Sequence, residues 1–234
     1  MQIDYKPLAF YVDKLKAGQK FAFVRYGNGE WDCTLSLRKH TGSGSQWFTS
    51  ELRTAMAETL TSAPSDEYYI ASQSAPYLTR KHIMPKADVW LRENAPGIAW
   101  VDGEVLHKAS LRGRLYPFVE AIQRERIVVV GPQWLLKLPF TRTFINVKAK
   151  DCWDDYENIL GRIRGHNFSN AIILFSAGPT AKVLIRQLWR EKPGANWLID
   201  CGSLWDPYCG VKSRNYHKRI KPGVLRRNLR GYNG

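Results

Sequence analysis

The sequence predicts an α/β fold built on a mostly parallel open sheet with helices on both faces. Three observations predict it. Two runs, 126–130 (RIVVV) and 170–175 (NAIILF), are apolar without alternation, the pattern of strands buried on both faces of a parallel sheet. Each run ends in Gly-Pro, at Gly131-Pro132 and Gly178-Pro179, and leads into a helical segment. Strand-like and helix-like segments then alternate along the whole chain, with no linker-like composition before about residue 207. Together these place a Rossmann-like single domain at 1–206 and a basic C-terminal extension at 207–234.

Taken in order, residues 7–16 carry Leu8, Tyr11, Val12 and Leu15 at helical spacing and stop at Gly18, so a short amphipathic helix opens the chain. Residues 21–24 (FAFV) read as a buried strand. The small polar stretch 38–45 is either a lid over a ligand or an ordinary linker. A helix is expected over 47–60, a strand over 67–72, and a helix over 79–94 interrupted near Pro85. A strand at 97–101 feeds Asp102-Gly103-Glu104 and a helix with Leu106, His107 and Leu111. After the 126–130 strand come a short helix at 133–137, a strand at 144–147 and a helix at 152–164. The 170–175 strand enters a helix with Ala181, Leu184, Ile185 and Leu188 at i, i+3, i+4, i+7, and 197–199 is the last strand.

The chemistry gathers where strands end. The strand at 21–24 breaks into Arg25, Gly27, Asn28, Gly29, Glu30 and Asp32. A Gly-rich, charged loop at the carboxyl end of a strand is where open α/β sheets bind ligands. Asn28-Gly29 is also a hairpin turn signal, with residues 30–35 as the returning strand; the loop reading is preferred. Gly178, Pro179, Thr180 and Lys182 form the best anion site, because Pro suits the start of a helix and free N–H groups of the first turn attract phosphate. The spacing is not that of a P-loop, and an ordinary strand-to-helix turn is the competing reading. Asp200 ends the last strand and suits a metal or a sugar hydroxyl, against a simple turn-capping role; Asp206 has the weaker claim. His107 follows an acidic loop and is a candidate general base for an acceptor hydroxyl, although a lone His beside a helix is more often structural.

Two segments carry a family resemblance. VRYGNGEWD resembles the R-[FY]-G-D-G-E segment of the GT-D-type glycosyltransferases, and GPTAKVL followed by WLIDCGSL resembles that family's G-P-T-A-x-x-L … [IV]-D-x-G-[HS] segment. The two lie about 150 residues apart in the family's order, and the region 40–120 matches only loosely. The resemblance implies a GT-D-type fold and a nucleotide-sugar donor, a UDP-sugar first. It implies a divalent metal, Mn or Mg, held near an Asp-x-Glu pair; Glu30, Asp32 and Asp200 are the candidate ligands here. Asn28 stands where the family pattern has Asp, which weakens any metal site or makes the metal dispensable. Catalytic candidates are Glu30, Asp32 and His107. Donor-binding candidates are Arg25, Gly27, Asn28, Gly178, Pro179, Thr180, Lys182, Asp200, Arg214 and Tyr216, the last two because an Arg fork pairs with phosphate.

Charge points to the acceptor. Thirty-five Lys+Arg against 21 Asp+Glu give a net charge of +14 and a pI near 9.7, which favours a polyanionic partner. Residues 207–234 hold no acid and eight bases, Lys212, Arg214, Lys218, Arg219, Lys221, Arg226, Arg227 and Arg230, interleaved with Tyr208, Tyr216 and Tyr232. Basic residues with aromatics make a phosphate-tracking, base-stacking surface. The joint reading is a hexosyl- or pentosyltransferase acting on a hydroxyl of nucleic acid, 5-hydroxymethyl-pyrimidine in phage DNA being the leading acceptor. A transferase for a protein or envelope glycan, another nucleotide-using transferase or hydrolase, and a non-catalytic nucleic-acid-binding protein are the rivals. Cys33, Cys152, Cys201 and Cys209 lack zinc spacing and read as reduced, buried thiols. No apolar run of about 18 residues and no signal-peptide pattern is present, so a cytoplasmic location is expected.

Overall fold

The computed structural model describes residues 2–73, 83–230 and 232. Eight strands form one all-parallel sheet: β1 (Ile3–Asp4), β2 (Ala22–Tyr26), β3 (Tyr68–Ser72), β4 (Trp100–Asp102), β5 (Arg126–Gly131), β6 (Thr143–Asn146), β7 (Ala171–Phe175) and β8 (Trp197–Asp200). Their order is β1-β4-β3-β2-β8-β7-β5-β6. Every pairing is parallel, so each connection must cross over a face of the sheet, and the helices cover both. On one face α2 (Asn28–Thr34), α3 (Ser50–Glu58), α4 (Ile83–Asn94), α7 (Tyr156–Gly165) and α8 (Thr180–Glu191) enclose a core with Val24, Tyr26, Trp31, Val128 and Ile173. On the other, α1 (Leu8–Lys16), α5 (Val105–Leu111) and α6 (Tyr116–Ile122) pack on Phe21, Phe23, Val129 and Ile199. β5 and β7 feed side chains to both cores in alternation, which is why their sequences are apolar throughout.

Register sets the site. β2 and β8 lie side by side at the centre, with Phe23 opposite Ile199, while Asp200 lies opposite Phe175 of β7. Tyr26 and Asp102 both flank Ser72 of β3. The carboxyl ends of β2, β3, β4, β7 and β8 therefore reach one edge together.

Two local readings are corrected. Residues 28–34 are neither loop nor hairpin: α2 starts at Asn28, directly after β2. The cause is Glu30, the third residue of the helix, whose Oε2 accepts from the Gly27 N–H at 3.0 Å and closes the entry turn. The helix expected over 47–60 is shorter, Ser50–Glu58, because Thr49 caps it by accepting from the Leu52 N–H at 3.2 Å. Residues 79–82 of the expected helix lie outside the described residues, and α4 runs uninterrupted through Pro85 as Ile83–Asn94. β1 and α6 occupy stretches to which the sequence reading assigns no element.

Residues 38–48 fold into a tied turn over the start of α2. The Thr41 hydroxyl accepts the N–H groups of Ser45 and Gln46 at 2.9 and 3.1 Å, and Trp47 N–H donates to Asp151 Oδ1 at 2.6 Å. Residues 207–230 are folded onto the α5–α6 side. Pro207 lies inside a 3-10 turn, Asp206–Cys209, so the chain continues without a break there, and α9 (Pro222–Asn228) packs on α5 and α6. Asn228 is fully buried, accepts from Leu115 N–H at 2.9 Å, and donates to Ser110 O and Tyr208 Oη at 2.8 Å each. All four cysteines are free and buried.

Candidate active site

Lys182 is the centre of the charged cluster at the carboxyl edge. Helix α8 begins after Gly178, whose φ of +57° is a left-handed conformation suited to glycine, and runs back over β2 and β8. Lys182, one turn in, points to the sheet and is 1% exposed. Its Nζ lies 2.8 Å from Glu30 Oε1 and 2.8 Å from Asp200 Oδ2, and donates to the Gly178 carbonyl at 3.1 Å. The structure thus brings together the turn before α8, the β2–α2 junction and the end of β8, three segments far apart in sequence.

Arg25 occupies the opposite side of the same edge. As the penultimate residue of β2 it points to the α5 face, away from α8. Its Nε donates to Gly103 O at 2.9 Å and its Nη2 to Glu104 Oε1 at 2.6 Å. Gly103 allows this approach, because a Cβ there would stand 2.9 Å from the Ser72 carbonyl carbon and 3.3 Å from the Arg25 side chain. The Arg25 N–H also donates to Asp200 Oδ2 at 3.2 Å, and Gly202 N–H donates to Asp200 Oδ1 at 3.0 Å. Glu104, which the sequence offered only as part of an acidic loop that could supply a general base with His107, is therefore the partner that fixes Arg25. Its signal was the acidic Asp102-Gly103-Glu104 loop after a strand.

The electrostatics follow from burial and pairing. Burial alone would raise the Glu30 carboxyl, but the Lys182 charge and hydrogen bond, with Arg25 behind, hold it at about 2. Burial is likewise overridden at Glu104, which Arg25 holds at about 2. Lys182 is raised: burial opposes its charge, and Asp200 and Glu30 more than offset it. Burial, followed by the Arg25 charge, lowers His107 to about 3, so its ring is neutral at physiological pH. His107 is 3% exposed and stands against Tyr216 at 5.9 Å between ring centroids. Tyr216 belongs to the 3-10 turn Asn215–Arg219 and shares a 3.1 Å hydrogen bond with Ser203 Oγ. Arg214, just before this turn, is exposed, and its N–H donates to His217 Nδ1 at 3.3 Å.

Several sequence assignments change on this geometry. The Lys182 ammonium, expected at an external phosphate, is enclosed here by protein oxygens. Glu30 and Asp200, expected as metal ligands, converge on that ammonium instead. Asp32 is fully buried on α2, roughly 200° around the helix from Glu30. Among the described residues no three His, Cys, Asp or Glu side chains are grouped to hold a metal ion. The residues present do not fit the expected metal site. At the α8 start, Ala181 and Lys182 N–H groups turn back to the Gly178 and Pro179 carbonyls at 3.2 and 3.1 Å, so the first turn offers fewer free donors than its sequence implies. Asp206 is a turn-former: it accepts from Trp134 Nε1–H at 2.9 Å and from the Ser213 hydroxyl. Gly178, Asn28, Gly29, Gly202, Ser203, Arg214 and Tyr216 keep some exposure and form the rim of the site. Ser203 fills the last position of the [IV]-D-x-G-[HS] resemblance, but its residue type alone gave it no role.

No protein-family model and no curated protein matches the chain. Solved structures do. A glycosyltransferase (DUF1792) from Streptococcus sanguinis superposes with a TM-score of 0.67 at 18% identity, over 88% of this chain and 84% of that one. A selenomethionine-substituted domain of unknown function 1792 gives 0.66 at 17% identity over 88% and 80%. A third structure, of domain of unknown function 1792 described as having a distinct glycosyltransferase fold, gives 0.65 at 17% identity over the same shares. The chain has this glycosyltransferase fold.

Proposed function

We propose that the protein is a nucleotide-sugar-dependent glycosyltransferase whose acceptor hydroxyl is carried on a polyanion, with DNA bearing 5-hydroxymethyl-pyrimidine as the leading candidate. The observation that carries the reading is the meeting of Arg25, Glu30, Lys182 and Asp200 at the carboxyl edge of the central strands, in a fold shared with a glycosyltransferase. In this reading the donor diphosphate lies along the rim, with Gly178, the start of α8 and Arg214 supplying donors and charge. Arg25 is held by Glu104 and tunes the edge from within. Glu30 and Glu104, held at about 2, and His107, held at about 3, are poor bases at neutral pH. The two glutamates serve as fixed charge and His107 as neutral packing, its two ring nitrogens buried without a hydrogen-bond partner among the described residues.

The polyanion is supported by the surface next to the rim. Lys212, Arg214, Lys218, Arg219, Lys221, Arg226, Arg227 and Arg230 are all exposed. Arg112 and Arg114, exposed in the turn after α5, extend the patch, and Arg227 packs on Gly113 between them. Arg230 stands 6.0 Å from the ring of Tyr116, which is itself 42% exposed. Tyr216 of this segment hydrogen-bonds to Ser203 in the loop after β8, and the proposal has the acceptor run from the basic face to the site along that junction. No helix among the described residues is long and apolar enough to cross a membrane, and action in the cytoplasm is part of the proposal.

The test is intact-mass analysis of hydroxymethylated DNA, unmodified DNA and an uncharged saccharide, each incubated with a panel of nucleotide sugars. A mass gain of one sugar on hydroxymethylated DNA alone is expected. Transfer to the uncharged saccharide alone would replace DNA with a glycan acceptor, and no transfer or donor hydrolysis with any pair would remove the enzymatic reading.

A further inference from the structure

The cluster expected to hold a metal already contains a cation. An ammonium has three N–H donors, and Lys182 directs them at Glu30 Oε1, Asp200 Oδ2 and the Gly178 carbonyl, at 2.8, 2.8 and 3.1 Å. The outer oxygens are engaged as well: Glu30 Oε2 accepts from Gly27 N–H at 3.0 Å, and Asp200 Oδ1 from Gly202 N–H at 3.0 Å. Asp200 Oδ2 further accepts from Arg25 N–H at 3.2 Å. A hard divalent ion needs about six oxygen ligands in an open arrangement. Here the oxygens that would begin such a shell each have a protein donor, and their charge is shared with an ammonium. Asn28, at the start of α2, adds no charge to replace what Lys182 neutralises.

We propose that Lys182 is the resident cation of this site and takes the place of a divalent metal, so that nucleoside diphosphate binds without one. The ammonium ties the β2–α2 junction, the turn before α8 and the end of β8, and so fixes the rim against which the diphosphate lies. Lys182 is thereby a positioning residue, since its enclosed ammonium does not itself reach the ligand. The inference rests on the donor-binding reading above only for the identity of the ligand.

The experiment uses the full chain stripped with EDTA. UDP is titrated by calorimetry in EDTA and again with Mn²⁺, and Mn²⁺ binding to the protein alone is followed by electron paramagnetic resonance. The parent should bind UDP with affinities within about threefold in the two conditions and should take up no stoichiometric Mn²⁺. In Lys182→Met the freed Glu30 and Asp200 should create a Mn²⁺ requirement, seen as a gain of about tenfold or more in UDP affinity. A tenfold gain with Mn²⁺ in the parent, or stoichiometric Mn²⁺ on the parent alone, overturns the proposal. If Lys182→Met does not fold, the two parent measurements decide. If UDP fails to bind in either condition, the donor-binding reading falls, and the Mn²⁺ signal on the parent still judges the cation.

Discussion

Replacing Lys182 by Met tests the charge cluster through stability. The substitution keeps most of the side-chain volume and removes the ammonium that lies 2.8 Å from both Glu30 and Asp200. Two carboxylates then face each other in a largely buried place, and breaking such a pairing costs about 3–5 kcal/mol. For a chain of this size each kcal/mol lowers Tm by about 2–4 °C, so a fall of about 6–20 °C is expected. The pH dependence should change sign at this site. In the parent Glu30 is held at about 2, so its contribution is full above the ordinary carboxylate range and is lost as pH falls toward 2. In the variant Glu30 loses the charge that holds it low and faces a second carboxylate, so the deficit grows as pH rises. Adding Glu30→Gln to Lys182→Met removes the repulsion and should recover at least about half of the loss, giving a coupling of roughly 2 kcal/mol in a double-mutant cycle. Urea melts of the four proteins at two pH values read this out. A Lys182→Met variant within about 1 kcal/mol of the parent, or a strictly additive cycle, would refute the buried-cluster reasoning.

Three further outcomes are expected. His107 stays neutral in the fold, at about 3 against an ordinary 6.5, so between those values the unfolded chain binds a proton that the native state does not. Stability should therefore fall as pH drops below 6.5, by up to about 1.4 kcal/mol per pH unit, and urea melts of His107→Leu should show a shallower acid slope; an unchanged slope assigns it elsewhere. Asn228→Ala removes three buried hydrogen bonds that dock α9 and should cost about 2–4 kcal/mol, whereas a loss under 1 kcal/mol would mean that α9 is held by something else. Changing Lys218, Arg219, Arg226 and Arg227 together to Ala should flatten the salt dependence of DNA binding, which with about four to six contacts amounts to two or three orders of magnitude between roughly 50 and 200 mM salt. An unchanged slope places the contact on another face.

The sheet was legible where burial leaves a continuous mark. β5 and β7 feed both cores, so every residue from Ile127 to Val130 and from Ala171 to Phe175 is apolar, as are the runs 21–24 and 197–199. β1, with two residues, is too short to leave one. The start of α2 was hidden because Gly-Asn-Gly carries the turn signal, while the deciding interaction, Glu30 reaching back to Gly27 N–H, is a capping contact between side chain and backbone. In the 207–230 segment eight exposed cations dominate the composition, yet one buried amide, Asn228, docks the helix by bonding to residues more than 100 positions earlier.

The site shows why composition could find its members but not their roles. Arg25, Glu30, Lys182 and Asp200 are each legible as charges following a strand; the last three meet side chain to side chain, and Arg25 joins them through its backbone N–H to Asp200. Whether Lys182 serves a phosphate or a carboxylate depends on which face α8 turns to the sheet and on β8 lying between β2 and β7. That order places Asp200 beneath the first turn of α8 and Glu30 beside it. An ammonium that close to two carboxylates cannot leave them for a solvated phosphate without stranding both in a buried place, a loss of several kcal/mol. The proposed donor reading therefore puts the diphosphate on the rim, where Arg214 is exposed and Tyr216, two residues on, hydrogen-bonds to Ser203 in the loop after β8. In the proposed reading the basic segment serves donor and acceptor alike, so truncating it should weaken UDP binding and DNA binding together.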